Sequence, residues 1–388
     1  MNNRRFTFYA MATWMMIVFT GIDISAQSGN TSVLTGGLRT PTRAIISPKG
    51  NVLVAEAGNG PNTGRISIID PATGARRTLV DGLPSGFAPP EGDASGPSGL
   101  AMRGRTLFVV IGAGDGTVAG PVPGTEVPNA NASSPFLSCV LSIRLSPLAE
   151  DTTQGFTISA ADQSALGFKK LSDGAGNELL IQLVTNFPNF SEEPVPGLPT
   201  AVRSSNPFGI AIRGNILYVA DASQNLVWEV DSDTGSTRQF VTFAARPNPL
   251  PFGPPFIDAV PDNVRLVGKS LLVTFLNGFP FPQGASEVRK IRLVNTASEP
   301  FIGGLTSAID VLPSTDAAGQ DQFFTLEFST DMLNNGPGRL TRFDAFGVSR
   351  TVLVDNLITP TGLAQNPTTG DVYVIETFPG LIIRVKTN

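Results

Sequence analysis

The sequence predicts an all-β fold: a six-bladed β-propeller with four-stranded antiparallel blades, the last blade closed by an N-terminal strand. Three observations carry that expectation. A unit of proline, short strand, tight turn and apolar strand recurs along the chain. With 41 Gly, 32 Pro and only 15% charged residues in 388, the composition favours many turns and few exposed helices. The final copy stops one strand short, and a strand of the missing type stands near the N-terminus.

The unit is clearest in "GNILYVADASQNLVWEVDSDTG", residues 214 to 235. Two runs rich in Ile, Val, Tyr and Trp suit a pleated surface, and "SDTG" supplies the Asp and Gly that a tight hairpin demands. Related copies read "TPTRAIISPKGNVLVAEA", "GPSGLAMRGRTLFVVIG", "NPFGIAIRGNILYVADA", "VPDNVRLVGKSLLVTF" and "TPTGLAQNPTTGDVYVIET", and "SAIDVLPSTDAAGQDQFFTLEF" is a degenerate copy without the proline. Third strands such as "GRISIID" and fourth strands such as "RRTLVDGL" follow, so each repeat is one propeller blade. The expected blades cover about 41–83, 97–190, 207–243, 261–305, 307–357 and 359–388, the last completed by 31–38, "TSVLTGGL". Residues 27–388 then form a single domain. Closing the ring in this way leaves no open sheet edge between first and last blades.

Arg4 and Arg5 precede an apolar run from Phe6 to about Ile22, and "ISA" ends at Ala26. Residues 1–26 read as a secretory signal peptide, with an uncleaved anchor as the alternative. The protein is therefore expected to be secreted or periplasmic, with no integral membrane segment after signal removal. A net charge of −5 and no dense basic stripe argue against a nucleic-acid partner. Cys139 is the single cysteine, so no intrachain disulfide forms, and its apolar strand suggests a small buried hydrophobe.

The order of "VAEAGNGPNTGRI", "GPSGLAMRGRTLFVVIGAGDG", "SNPFGIAIRGNILYVADA", "VPDNVRL" with "FLNGFPFPQGASEVRKI", and "PTGLA" resembles the ScyD/ScyE family of exported, NHL-like propellers. The resemblance spans nearly all of residues 33–388. It implies fold and export, and it carries no catalytic residues onto this chain.

There is no histidine. That excludes Ser-His-Asp and Cys-His nucleophile systems and His-ligated zinc, and one Cys excludes a thiolate zinc site. Oxygen-ligand chemistry with Ca²⁺ or Mg²⁺ remains, as does acid–base work by Asp and Glu. "GAGDGT", residues 112–117, follows a strand but no helix opens after it, so it is read as a loop and not a dinucleotide fingerprint.

Most long connections join second to third strands or one blade to the next, which places them on one face. An exception is 146–177, with the helix-compatible "SAADQSALGFKKL", expected on the opposite face. Ligands are expected on the long-loop face, at the channel mouth. Phe252, Phe256, Phe279 and Phe281, with Phe87, form a candidate rim there for a ligand or partner protein; alternatively, Phe–Pro packing only stiffens the loops. Glu56, Asp221, Glu327 and Glu376 end equivalent second strands and are candidate metal ligands, with Ca²⁺ the cation they would suit. The competing reading has each accept hydrogen bonds from backbone N–H groups of its own following loop. Two functions compete: a non-catalytic exported propeller that binds a small molecule or partner protein on its long-loop face, and a Ca²⁺- or Mg²⁺-assisted hydrolase or lactonase using channel-mouth carboxylates.

Overall fold

The second strands of the recurring unit must bury side chains on both faces, because runs such as Val52–Glu56 and Ser270–Phe275 are buried at every residue. Only stacking sheet on sheet can do that. The computed structural model describes residues 29–89, 92–163 and 169–387, so the expected signal peptide at 1–26 lies outside the described residues. No helix among them is long and apolar enough to cross a membrane.

The chain is all-β, and six antiparallel sheets share one plan. Sheet one contains Pro41–Ile46, Val52–Glu56, Gly64–Ile69 and Arg76–Leu83. Sheet two contains Pro97–Arg103, Thr106–Ile111, Cys139–Leu145 and Glu178–Asn186. Sheet three runs Pro207–Arg213, Ile216–Asp221, Leu226–Asp231 and Thr237–Thr242. Sheet four runs Pro261–Val267, Ser270–Phe275, Ser286–Arg292 and Ser298–Leu305. Sheet five runs Ala308–Thr315, Asp321–Glu327, Gly338–Phe343 and Arg350–Leu357. Sheet six has Pro360–Gln365, Val372–Glu376 and Leu381–Val385, and its fourth strand is Thr31–Thr35. Thr31 faces Val385 and Val33 faces Ile383 in an antiparallel register, so the N-terminal strand does complete the last sheet.

The first strand of each sheet lies beside the first strand of the next, and that of sheet six lies beside that of sheet one. Apolar clusters fill the gaps. Ala101, Phe108, Ile210 and Val219 pack between sheets two and three, Ala211, Tyr218, Val264 and Val273 between three and four, and Val52, Val54, Tyr373 and Ile375 between six and one. Burial falls from second strand to fourth: in Ser298–Leu305 and Arg350–Leu357 most residues are exposed or half-buried. Hydroxyls stitch neighbours together at the first strands. Thr42 Oγ1 donates to Pro97 O at 3.0 Å, Ser98 Oγ to Pro207 O at 3.1 Å and Thr361 Oγ1 to Pro41 O at 3.4 Å.

The turns at the far end are fixed by aspartates. Asp70 Oδ1 accepts from Ala72 N and Thr73 N, and Asp231 Oδ1 accepts from Asp233 N and Thr234 N. Gly74 and Gly235 follow at φ 73° and 75°, in the left-handed region that a side chain resists. Those hydrogen bonds, more than charge, hold both carboxyls below the usual range.

The 146–177 connection does more than cross the opposite face. It begins there, where Glu150 Oε2 accepts from Ser47 Oγ at 2.6 Å and Asn51 Nδ2 at 2.9 Å. It then adds an outermost strand to two sheets: Phe156–Thr157 pairs parallel with Val80–Asp81, and Lys169–Ser172 pairs with Glu178–Ile181. Of the helix-compatible stretch, Ala160–Gln163 forms a single turn, and residues 164–168 lie outside the described residues. Phe156 and Ile158 are fully buried against sheets one and two, which explains why the chain invests apolar residues in this connection. Cys139 is buried with a free thiol, and burial raises its pKa.

Candidate functional site

The first strand of every sheet starts opposite the end of the second. Pro41 faces Glu56, Pro97 faces Ile111, Pro207 faces Asp221, Pro261 faces Phe275, Ala308 faces Glu327 and Pro360 faces Glu376. The residue after each second strand donates its N–H to the carbonyl just before the first strand: Ala57 to Thr40, Gly112 to Gly96, Ala222 to Asn206, Leu276 to Val260, Phe328 to Ser307 and Thr377 to Thr359. Thr40, Val260, Ser307 and Thr359 hold positive φ of 45° to 51°, a costly conformation for such residues that these hydrogen bonds help pin.

The four strand-end carboxylates therefore occupy equivalent positions, as the sequence suggested, and all are buried. Each accepts from a backbone N–H, but mainly from the loop that precedes the first strand of its sheet and not from its own following loop. Arg39 N donates to Glu56 Oε2 at 2.5 Å, Thr306 N to Glu327 Oε1 at 2.7 Å and Ile358 N to Glu376 Oε1 at 2.6 Å. Ser67 Oγ also donates to Glu56. Asp221 is served most fully, by Ser205 Oγ at 2.6 Å, Asn206 N at 2.9 Å, Gln224 N at 3.2 Å and Trp228 Nε1 at 3.2 Å. Gln224 belongs to the following loop, so there the sequence-based alternative holds. Burial raises the pKa of Asp221 and Glu327 and lifts Glu376 to about 7. Among the described residues no three His, Cys, Asp or Glu side chains are grouped to hold a metal ion.

What meets between the first strands is different, and sequence reasoning missed it. Arg43, third residue of the first strand in sheet one, reaches sheets four and five: its Nη2 donates to Asp262 Oδ2 at 2.8 Å and Ile309 O at 3.1 Å. Its guanidinium carbon lies 4.8 Å from the centre of the Phe208 ring of sheet three, a cation–π contact. Asp310 gathers Arg265 Nε at 3.1 Å, Arg265 Nη2 at 2.7 Å, Leu363 N at 2.8 Å and Asn263 Nδ2. Burial pushes Asp310 up, but Arg265 and Arg43 outweigh it and the carboxyl sits below the usual range. Burial pushes Asp262 up to about 7 against the pull of Arg43. A sequence signal existed: Arg43, Asn263 and Asp310 stand where Gly99, Gly209 and Gly362 stand in the other copies. At those glycines an added Cβ would meet Phe208 O at 2.3 Å, Asn263 Oδ1 at 2.2 Å and Thr42 O at 2.8 Å, so the first strands crowd together there.

The long connections do lie at the second-strand ends. Two of them build a further sheet of Thr117–Ala119, Glu126–Pro128, Val202–Ser204 and Phe190–Glu192, which the sequence did not disclose because its strands are three residues each. The "GAGDGT" segment leads into the first of these strands and no helix. Glu126 is buried within it; desolvation raises its pKa to about 7, and Thr117 Oγ1 donates to it at 2.8 Å. Arg203 Nη2 joins this sheet to the 244–260 loop through Asp258 at 2.9 Å, and Arg246 anchors the same loop to Glu287 at 2.8 Å and Asn277 at 2.7 Å. Phe252 and Phe256 are both 48% exposed on this loop. Phe279 is half-buried and packs edge-on against Phe281, with ring centres 6.1 Å apart. Phe281 is only 6% exposed, so it supports the loop and cannot belong to an accessible rim. Phe87 is exposed at 45%.

No protein-family profile matches the chain, nor does any curated protein. Solved structures with similar coordinates include a nidogen/laminin complex, at 11% identity over 82% of this chain and 88% of that one, TM-score 0.41. A candidate phosphatase of Bacteroides thetaiotaomicron matches at 11% identity over 90% of this chain and 72% of its own, TM-score 0.49. An auxiliary nutrient binding protein of the same organism matches at 8% identity over 90% and 69%, also at 0.49. Likenesses this distant assign neither activity nor ligand.

Proposed function

We propose that this chain is an exported six-bladed β-propeller of the kind the ScyD/ScyE resemblance implies, non-catalytic, and that it binds a small molecule or partner protein on its long-loop face. The neighbour order of the six sheets, the shared hydroxyl contacts and the N-terminal fourth strand support the propeller reading. One domain from residue 27 to 388 and a secreted or periplasmic location are part of the same proposal and rest on the sequence, with its basic start and apolar run before Ala26. The observation that carries the binding reading is the asymmetry of the two ends. At one end, tight Asp–Gly turns predominate; at the other, loops build their own sheet, are tied down by Arg203 and Arg246, and present Phe252 and Phe256 to solvent. Anchored loops lose little entropy on binding, which is what a recognition surface requires. The strand-end carboxylates serve backbone N–H groups of their own sheets, which favours binding over metal-assisted hydrolysis.

A planar apolar fluorophore such as an anilinonaphthalene sulfonate tests this. Wild-type protein should bind it saturably, and the double variant Phe252→Ser, Phe256→Ser should lose most of the signal while Phe346→Ser, an equally apolar change at a 79% exposed turn of the other end, keeps it. Equal signals from all three proteins would remove the apolar rim. Turnover of a lactone or ester panel would overturn the non-catalytic reading.

A further inference from the structure

Arg43 is 3% exposed, yet only its Nη2 finds hydrogen-bond acceptors; Nε and Nη1 have none within the protein. Buried guanidinium donors without acceptors are costly. Arg43 also lines a cavity of about 10 Å³, with Ala44, Gly99, Leu100, Ile210, Asn263 and Arg265. We infer that this cavity is a binding site for one monovalent spherical anion of the halide class, held by Arg43, with Arg265 also in its lining.

Three features select that occupant. Size comes first: the space is small and favours a compact, single-atom occupant. Hydrogen-bond polarity comes second. Two of the lining side chains are guanidinium groups, which only donate, and Asn263 is the one lining side chain with an acceptor; a halide, which only accepts, matches that donor-rich set of side chains. Charge comes third. Arg43 and Arg265 are opposed by Asp310, which the two arginines keep ionised, and by Asp262, which faces Arg43 and Asp310 from neighbouring strands and shares its own strand with Arg265. Since burial lifts Asp262 to about 7, the cluster has a surplus positive charge below neutrality, and one anion balances it. The site is separate from the loop face proposed above.

The experiment uses the intact protein. Thermal melting is followed in sodium chloride and in sodium methanesulfonate at equal ionic strength. The melting temperature should rise saturably as chloride replaces methanesulfonate, and the rise should be larger at pH 6 than at pH 8, because Asp262 then carries less competing charge. Crystals soaked in bromide should show an anomalous peak within hydrogen-bond reach of Arg43 Nε or Nη1. This second readout needs no variant, so it stands even if Arg43→Gln fails to fold. Equal melting in both salts, or density at the site that bromide does not replace, overturns the assignment and leaves a bound water.

Discussion

Arg43 and Asp262 are 219 residues apart in the chain, and their side chains meet at 2.8 Å between the first strands of sheets one and four. Both are nearly inaccessible to solvent, at 3% and 4% exposure, so this ion pair ties together parts of the protein that share no hydrogen-bonded sheet. Its two halves are not equivalent. Arg43 also serves Ile309 and stands 4.0 Å from Asp310, whereas Asp262 has a carboxyl that burial drives toward neutrality.

That asymmetry predicts unequal costs. Arg43→Met should destabilise by about 3–5 kcal/mol, the usual penalty for stripping one partner from a buried pair. Asp262→Asn should cost markedly less, since near pH 7 the native carboxyl is already half protonated. Urea unfolding of both variants checks the order; equal losses would refute it.

Asp221 predicts a second large effect, because four donors converge on it in a site with no solvent exposure. Asp221→Ala should cost about 3 kcal/mol through the donors it leaves unpaired. A loss below half that size in chemical denaturation would mean that the loops reclaim those donors unaided.

Glu376 predicts a pH dependence. It has one backbone donor, and its folded pKa of about 7 lies above the ordinary 4.5. A carboxyl raised on folding favours the native state fully below pH 4.5, and that contribution is lost as pH rises through 7. Glu376→Gln should flatten this decline and gain about 1–2 kcal/mol at pH 8 relative to wild type. Parallel stability profiles for the two proteins would show that Glu376 does not titrate in this range.

Calcium supplies a fourth. Because Glu56, Asp221, Glu327 and Glu376 are each engaged within separate sheets, millimolar Ca²⁺ should leave the melting temperature unmoved, and a chelator should do the same. A saturable rise that Glu56→Gln with Glu376→Gln abolishes would reinstate them as cation ligands.

The fifth concerns the N-terminal strand. Deleting residues 29–38 should expose the edge of Leu381–Val385, whose Val385 is fully buried, and produce aggregation or loss of a single cooperative transition. An unchanged melt and a monomeric elution profile would show that the edge needs no partner.

The sequence by itself determined the periodic part of this protein. Strand runs such as "NILYVAD" and turns such as "SDTG" are local, because β-branched residues and Asp–Gly chemistry act within a few positions of the chain. The short last copy and its spare N-terminal strand were legible for the same reason, one repeat unit being compared with another. The strand-end carboxylates were legible as equivalent positions, but which N–H groups they would meet was not: the donors Arg39, Thr306 and Ile358 precede them by about one hairpin, and strand register decides that pairing. Only the tertiary structure buried Phe281 while leaving Phe252 in solvent, and only it assembled a sheet from three-residue strands, since so short a strand leaves no period to read. It alone brought Arg43 to Asp262 and Asp310. Contacts that span 219 residues depend on how sheets are arranged around one another, and no local pattern encodes that arrangement.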